Sequence, residues 1–221
     1  MRTLLRIESR ILSKLDYGAI LLIVSFLYLI GIPMFAVYML IVLCPFASRF
    51  FHDYRNRSRI FTASLPFSRS QIVRSRYLLA FLEITAMLAW LFVLGHLVQW
   101  AGRSIQFVMN GSDFLVFLCM AIVLLAVSLP FYYLFPSYIP AVLSTIAIIF
   151  AAIYYTLVLL VKVLGLEGAD VIVFNDMDPG VVRAVQTYLP LAPYFALILG
   201  TALLFVLSIK LSELLYRKKD I

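Results

Sequence analysis

The stretch Arg55–Tyr77 is the only long polar and basic segment lying between two strongly apolar runs, so its flanks read as membrane and the segment itself as held in water. Six arginines fall inside it and no aspartate or glutamate does, although Asp53 sits just upstream. The whole chain agrees with that division. Its 221 residues are 64% hydrophobic and 13% charged, too little polar surface to coat a water-soluble globule, so the fold class is an all-α integral membrane protein. The net charge of +7 would suggest a nucleic-acid partner in a soluble protein, but here the basic residues gather in a few loops and tails, which is a topology signal. Cys44 and Cys119 both lie in apolar runs, where they read as small apolar packers and not as a disulfide. The charged first sixteen residues and the missing small-residue cleavage motif argue against a cleaved signal peptide.

Read in order, the chain forms a single transmembrane domain over 1–221. In residues 1–16, Leu4, Ile7, Ile11, Leu12 and Leu15 share one helical face while Arg2, Arg6, Arg10 and Lys14 recur every four residues, which predicts an amphipathic helix lying along the inner leaflet. Span 1 (17–31) and span 2 (32–49) are read as a tight hairpin around Gly31-Ile32-Pro33, with Pro33 in the first turn of the second helix; a single re-entrant element is the alternative. A polar cytoplasmic segment (50–76) leads to span 3 (77–99), and spans 4 (114–135), 5 (141–164) and 6 (191–215) follow. The connector 165–190 carries Glu167, Asp170, Asp176 and Asp178; Asp178-Pro179 has the form of a helix start, so a short external helix is expected there. Six spans put both termini on one side, which collects fifteen of the eighteen lysines and arginines, so that side is cytoplasmic.

Catalytic chemistry lacks its parts. There is no Walker loop, no His-Glu-x-x-His and no Cys-x-x-Cys, and the two histidines, His52 and His96, fall in different compartments. Glu83 is the one acidic residue well inside a span; a carboxylate there needs a partner or water, and the expected partner is Arg76 or another basic group at the inner interface. With no further intramembrane acids, an ion-coupled carrier is disfavoured.

The basic segment has an internal grammar. Ser68-Arg69-Ser70-Gln71 has capping-box spacing, so a helix starts there and runs through Tyr77 into span 3. Pro66 pushes Leu65 out of the helical region, which places a turn at Leu65-Pro66-Phe67. Before it, Asn56–Ser64 has room for about two helical turns, with Ile60 and Phe61 as an apolar knob. Helix, Pro turn and capped helix make an elbow able to transmit a push; a plain topogenic loop, or a surface binding anionic lipid or a cytoplasmic protein, is the alternative.

The run from Phe61 to Leu78, with its Ser-Leu-Pro and its Ile-Val-Arg before Tyr-Leu, resembles the segment between the second and third spans of type-2 ABC transporter permeases. The six-span layout and the N-terminal amphipathic and external helices are similar too, and the likeness is strongest to the small permeases that include exporters of phenol-soluble modulins, amphipathic cytolytic peptides. The connector Pro136–Pro140 departs from relatives in carrying no basic residue. The resemblance implies a permease subunit in a bacterial plasma membrane, paired with a second permease copy and seated on two separate ATPase subunits that hold ATP and Mg²⁺, with no cofactor on this chain. By position, Ser64, Leu65, Pro66, Ser68 and Arg69 match the family motif; Ile60 and Phe61, the apolar knob read from the residues themselves, are the candidates for the apolar contact to the ATPase.

Overall fold

The computed structural model describes residues 14–32, 34–56, 64–102, 108–135, 137–162 and 193–217. Among them are six helices and no strand: α1 (Lys14–Ile30), α2 (Met34–Arg55), α3 (Arg69–Trp100), α4 (Gly111–Leu134), α5 (Tyr138–Lys162) and α6 (Pro193–Arg217). Three of these, α3, α4 and α6, are long and apolar enough to cross a membrane by length and composition, while the described parts of α1 and α5 form shorter apolar helices. The expected N-terminal amphipathic helix lies largely outside the described residues, apart from residues 14–16, which belong to α1. Pro33, the segment 57–63 with Ile60 and Phe61, and the connector 165–190 with its expected external helix also lie outside them.

The α1–α2 turn follows from one glycine. Gly31 sits at φ 85°, a region open to it because it has no Cβ. Its N–H donates to Tyr28 O and the next N–H, of Ile32, reaches back to Leu27 O, both at 3.2 Å, so the last carbonyls of α1 are satisfied by a Schellman closure. Helix α2 then continues past the boundary expected at Arg49, through Arg49 and Asp53 to Arg55. The reason is periodic burial: Val42, Phe46, Arg49, Phe50 and Asp53 recur on one face and all are buried, so ending the helix at the first charge would break a packed stripe.

Helix α4 is the centre of the bundle, in contact with α2, α3, α5 and α6. It begins at Gly111, ahead of the expected residue 114, because the Asn110 N–H donates to Asp113 Oδ2 at 2.7 Å and closes the first turn. Inside α4, Pro130 has no N–H and leaves the Ala126 carbonyl without its helical donor. Ser208 of α6 fills that place, its hydroxyl donating to Ala126 O at 2.5 Å. The proline that weakens one helix therefore fixes the register of its neighbour.

Close approach recurs between α1 and α3. A Cβ placed on Gly95 would lie 2.6 Å from the Tyr28 hydroxyl oxygen, so Gly95→Ala is expected to destabilise the bundle by about 1–3 kcal/mol through overpacking. A lower melting temperature in detergent, partly restored by adding Tyr28→Phe, checks this; an unchanged melting temperature contradicts it.

Candidate functional site

The site is built where α3 emerges from the basic segment. The Phe67 N–H donates to Leu65 O at 2.7 Å, a three-residue turn with Pro66 at its centre. Ser64 and Pro66 are exposed, Leu65 is half-buried, and Phe67 packs against the core. Ser68 then caps α3 with φ −68° and ψ 146°: its hydroxyl accepts from the Gln71 N–H at 3.3 Å, and Gln71 Oε1 accepts from the Ser68 N–H at 3.1 Å. The capping box expected from the sequence is present. From Arg69 the helix is continuous for 32 residues, roughly 48 Å at 1.5 Å per residue, against about 30 Å of bilayer hydrocarbon.

Successive turns of α3 are fastened to α6. Arg69 Nη1 donates to the carbonyls of Tyr216 and Arg217, both at 3.1 Å, so a cation sits at the negative, donor-poor end of α6. Arg217 returns a bond from Nη2 to Ser70 Oγ at 3.2 Å. Arg74 Nε donates to Glu213 Oε1 at 2.7 Å. The Tyr77 hydroxyl then lies 2.6 and 2.7 Å from the hydroxyls of Ser208 and Ser212 and donates to Ser208 O at 3.0 Å.

The other faces of α3 hold α1, α2 and α4. Arg76 pairs with Asp53, Nη1 to Oδ2 at 3.0 Å and Nη2 to Oδ1 at 3.5 Å, and it also donates to the Tyr132 hydroxyl while its guanidinium lies 5.2 Å from that ring's centroid. Arg76 and Asp53 are 5% and 1% exposed, which makes this a buried pair and not a surface one. Because Arg76 is engaged by Asp53, the partner of Glu83 is a different arginine. Glu83 pairs with Arg49 of α2 and accepts from the Tyr17 hydroxyl of α1, and Arg49 Nη2 also reaches Tyr17 Oη at 3.1 Å. Beside both pairs lies a cavity of about 20 Å³, room for one ordered water, whose lining includes Arg49, Asp53, Arg76, Glu83 and Leu125. Arg49 is 7% exposed, and its Nε and Nη1 have no hydrogen-bond partner among the described residues. Towards the helix ends, His52 Nε2 lies 3.3 Å from Asp16 Oδ2, and the Tyr54 hydroxyl donates to Phe135 O at 3.0 Å, closing the C-terminus of α4.

The arrangement joins the Leu65–Phe67 turn to a long helix whose first four turns are tied by charge and hydroxyl contacts to every other helix it meets. The sequence model of the ABC-2 family transporter proteins matches residues 10–217. The chain belongs to the ABC-2 transporter family. No curated protein and no solved structure shows a significant match to it. As an ABC-2 permease it is a transmembrane component that is not itself catalytic, and family membership implies association with an ABC ATPase subunit.

Of the residues singled out in the sequence, the permease brings Leu65, Pro66, Ser68 and Arg69 together at the base of α3, with Ser64 at its edge. Glu83 stands apart from them, four turns up the same helix. Sequence reasoning did not single out Arg49, Asp53, Tyr17, Tyr132 or Glu213. For Arg49 and Asp53 the signal was the apolar stripe Val42, Phe46, Phe50 that both residues extend. The others meet α3 through partners more than 50 residues away, where local pattern carries no information.

Proposed function

We propose that this ABC-2 permease is the membrane subunit of an exporter that moves an amphipathic or lipophilic cargo, driven by ATP hydrolysed on two separate ATPase subunits that hold ATP and Mg²⁺. In this reading the chain crosses a bacterial plasma membrane six times with both termini cytoplasmic, works beside a second permease copy, and docks its ATPase at the elbow through Ile60, Phe61, Ser64, Leu65, Pro66, Ser68 and Arg69. One observation carries the mechanism: the Leu65–Phe67 turn is joined without a break to α3, and α3 is clamped to α6 by Arg69, Arg74 and Tyr77 and to α2 by Arg76 and Glu83. A displacement at the elbow therefore reaches α2 and α6 together. The inference of an apolar cargo rests on the scarcity of charge along α4, which carries only Asp113 in its first turn.

The test is Leu65→Asp. A charge on this half-buried turn residue, outside the helices, is expected to leave the chain folded in the membrane while ATP hydrolysis by the co-expressed ATPase loses its cargo stimulation. Wild-type stimulated hydrolysis in that variant would remove the elbow from the coupling path.

A further inference from the structure

We infer that the exposed surface where α3 and α6 meet, around Glu213, is a binding site for the headgroup of one anionic phospholipid, held by Lys210 and Arg74. Both cations lean on one carboxylate: Arg74 Nε is 2.7 Å from Glu213 Oε1, whereas Lys210 Nζ is 3.9 Å from Glu213 Oε2. The Glu213 side chain is 7% exposed and the two cations are 52% and 63% exposed, so the carboxylate is spent inside the protein while both positive groups point outward. Two cations against one anion leave one positive charge, the complement of a single phosphodiester.

The position of Lys210 sharpens the point. It lies seven residues before the end of α6, about 10 Å along the axis, where a lysine facing hydrocarbon is costly unless its ammonium snorkels to a polar partner. Its neighbours on that face, Leu207, Leu211 and Leu214, are exposed, as are Leu78 and Leu82 on the Arg74 face of α3. A free phosphate gains nothing from such leucines. A phospholipid lays its acyl chains along them while its phosphate meets Lys210 and Arg74, so the apolar flanks select the lipid. Each basic residue near an anionic surface adds about 1 kcal/mol, which is roughly fivefold in affinity.

The experiment titrates the full-length chain, purified in detergent, with phosphatidylglycerol or phosphatidylcholine and counts bound lipid by native mass spectrometry. The wild type is expected to prefer phosphatidylglycerol, Lys210→Gln to weaken that binding about fivefold, and Lys210→Arg to keep it. Arg55→Gln, an exposed charge at the end of α2, should leave it unchanged. Equal binding of the two lipids by the wild type, or no effect of Lys210→Gln, overturns the site. An equal loss in Arg55→Gln would mean diffuse attraction and overturns it too, as would displacement of the lipid by glycerol phosphate at matched concentration. Because the readout is lipid binding and not transport, its failure leaves the exporter reading untouched.

Discussion

Glu83→Ala is expected to destabilise the bundle by about 3–5 kcal/mol, because it strands the guanidinium of Arg49 in the interior without its counter-charge. Among the described residues two nitrogens of Arg49 have no hydrogen-bond partner, and Glu83 and Tyr17 are the groups its guanidinium does bond. The pair itself is not expected to be the source of the stability. Its charges were taken out of water to make it, and the lining around them is apolar apart from the second pair, Asp53 with Arg76, and Tyr132. The double variant Arg49→Met with Glu83→Leu should therefore recover most of what Glu83→Ala loses. The check is the melting temperature and monodisperse yield in detergent of the two single variants and the double. A double variant less stable than Glu83→Ala, or a Glu83→Ala protein that melts like wild type, contradicts the assignment of Arg49 as a buried charge held by Glu83. If the double variant folds well yet couples poorly, the pair serves the motion of α3 against α2 and not the fold.

The contrast between Glu83 and Ser68 shows what a sequence carries and what it leaves open. Ser68 and Gln71 are three residues apart, so their reciprocal bonds depend only on local geometry and the start of α3 was legible from the spacing. The turn at Pro66 was legible for the same reason. Arg49 and Glu83 are 34 residues apart on different helices. A charge just after an apolar run reads as the end of a span, and only its place in the stripe from Val42 to Asp53 marks it as interior. The Pro130 and Ser208 contact was out of reach altogether: the sequence shows that the proline frees a carbonyl, but not which neighbouring helix brings a hydroxyl to it. The helical class and the family rest on pattern along the chain, whereas the charge layer rests on which faces meet. That is why the Pro66 turn and the capped start of α3 were foreseen and the fastenings of α3 to α2 and α6 were not.

Arg76→Lys is expected to fail almost as badly as Arg76→Ala, with a loss of about 3–5 kcal/mol for the alanine variant through the stranded charge of Asp53. Asp53 is 1% exposed, and the adjoining cavity of about 20 Å³ has room for one water, which does not replace a forked guanidinium. Lysine keeps the charge but not the geometry. The guanidinium of Arg76 presents Nη1 and Nη2 to the two oxygens of Asp53, donates at the same time to the Tyr132 hydroxyl, and lies over the Tyr132 ring. An ammonium is a compact, strongly hydrated point charge that matches neither the paired oxygens nor the ring. Arg74, two residues earlier, is the internal control. It meets Glu213 through Nε, is 52% exposed, and has Lys210 on the same carboxylate, so Arg74→Lys should be tolerated with a melting temperature close to wild type. Parallel measurement of Arg76→Lys, Arg76→Ala and Arg74→Lys in detergent separates charge from shape. Equal tolerance of lysine at both positions would show that the Asp53 pocket reads only charge, and would remove the forked contact from the account of how α3 is held to α2.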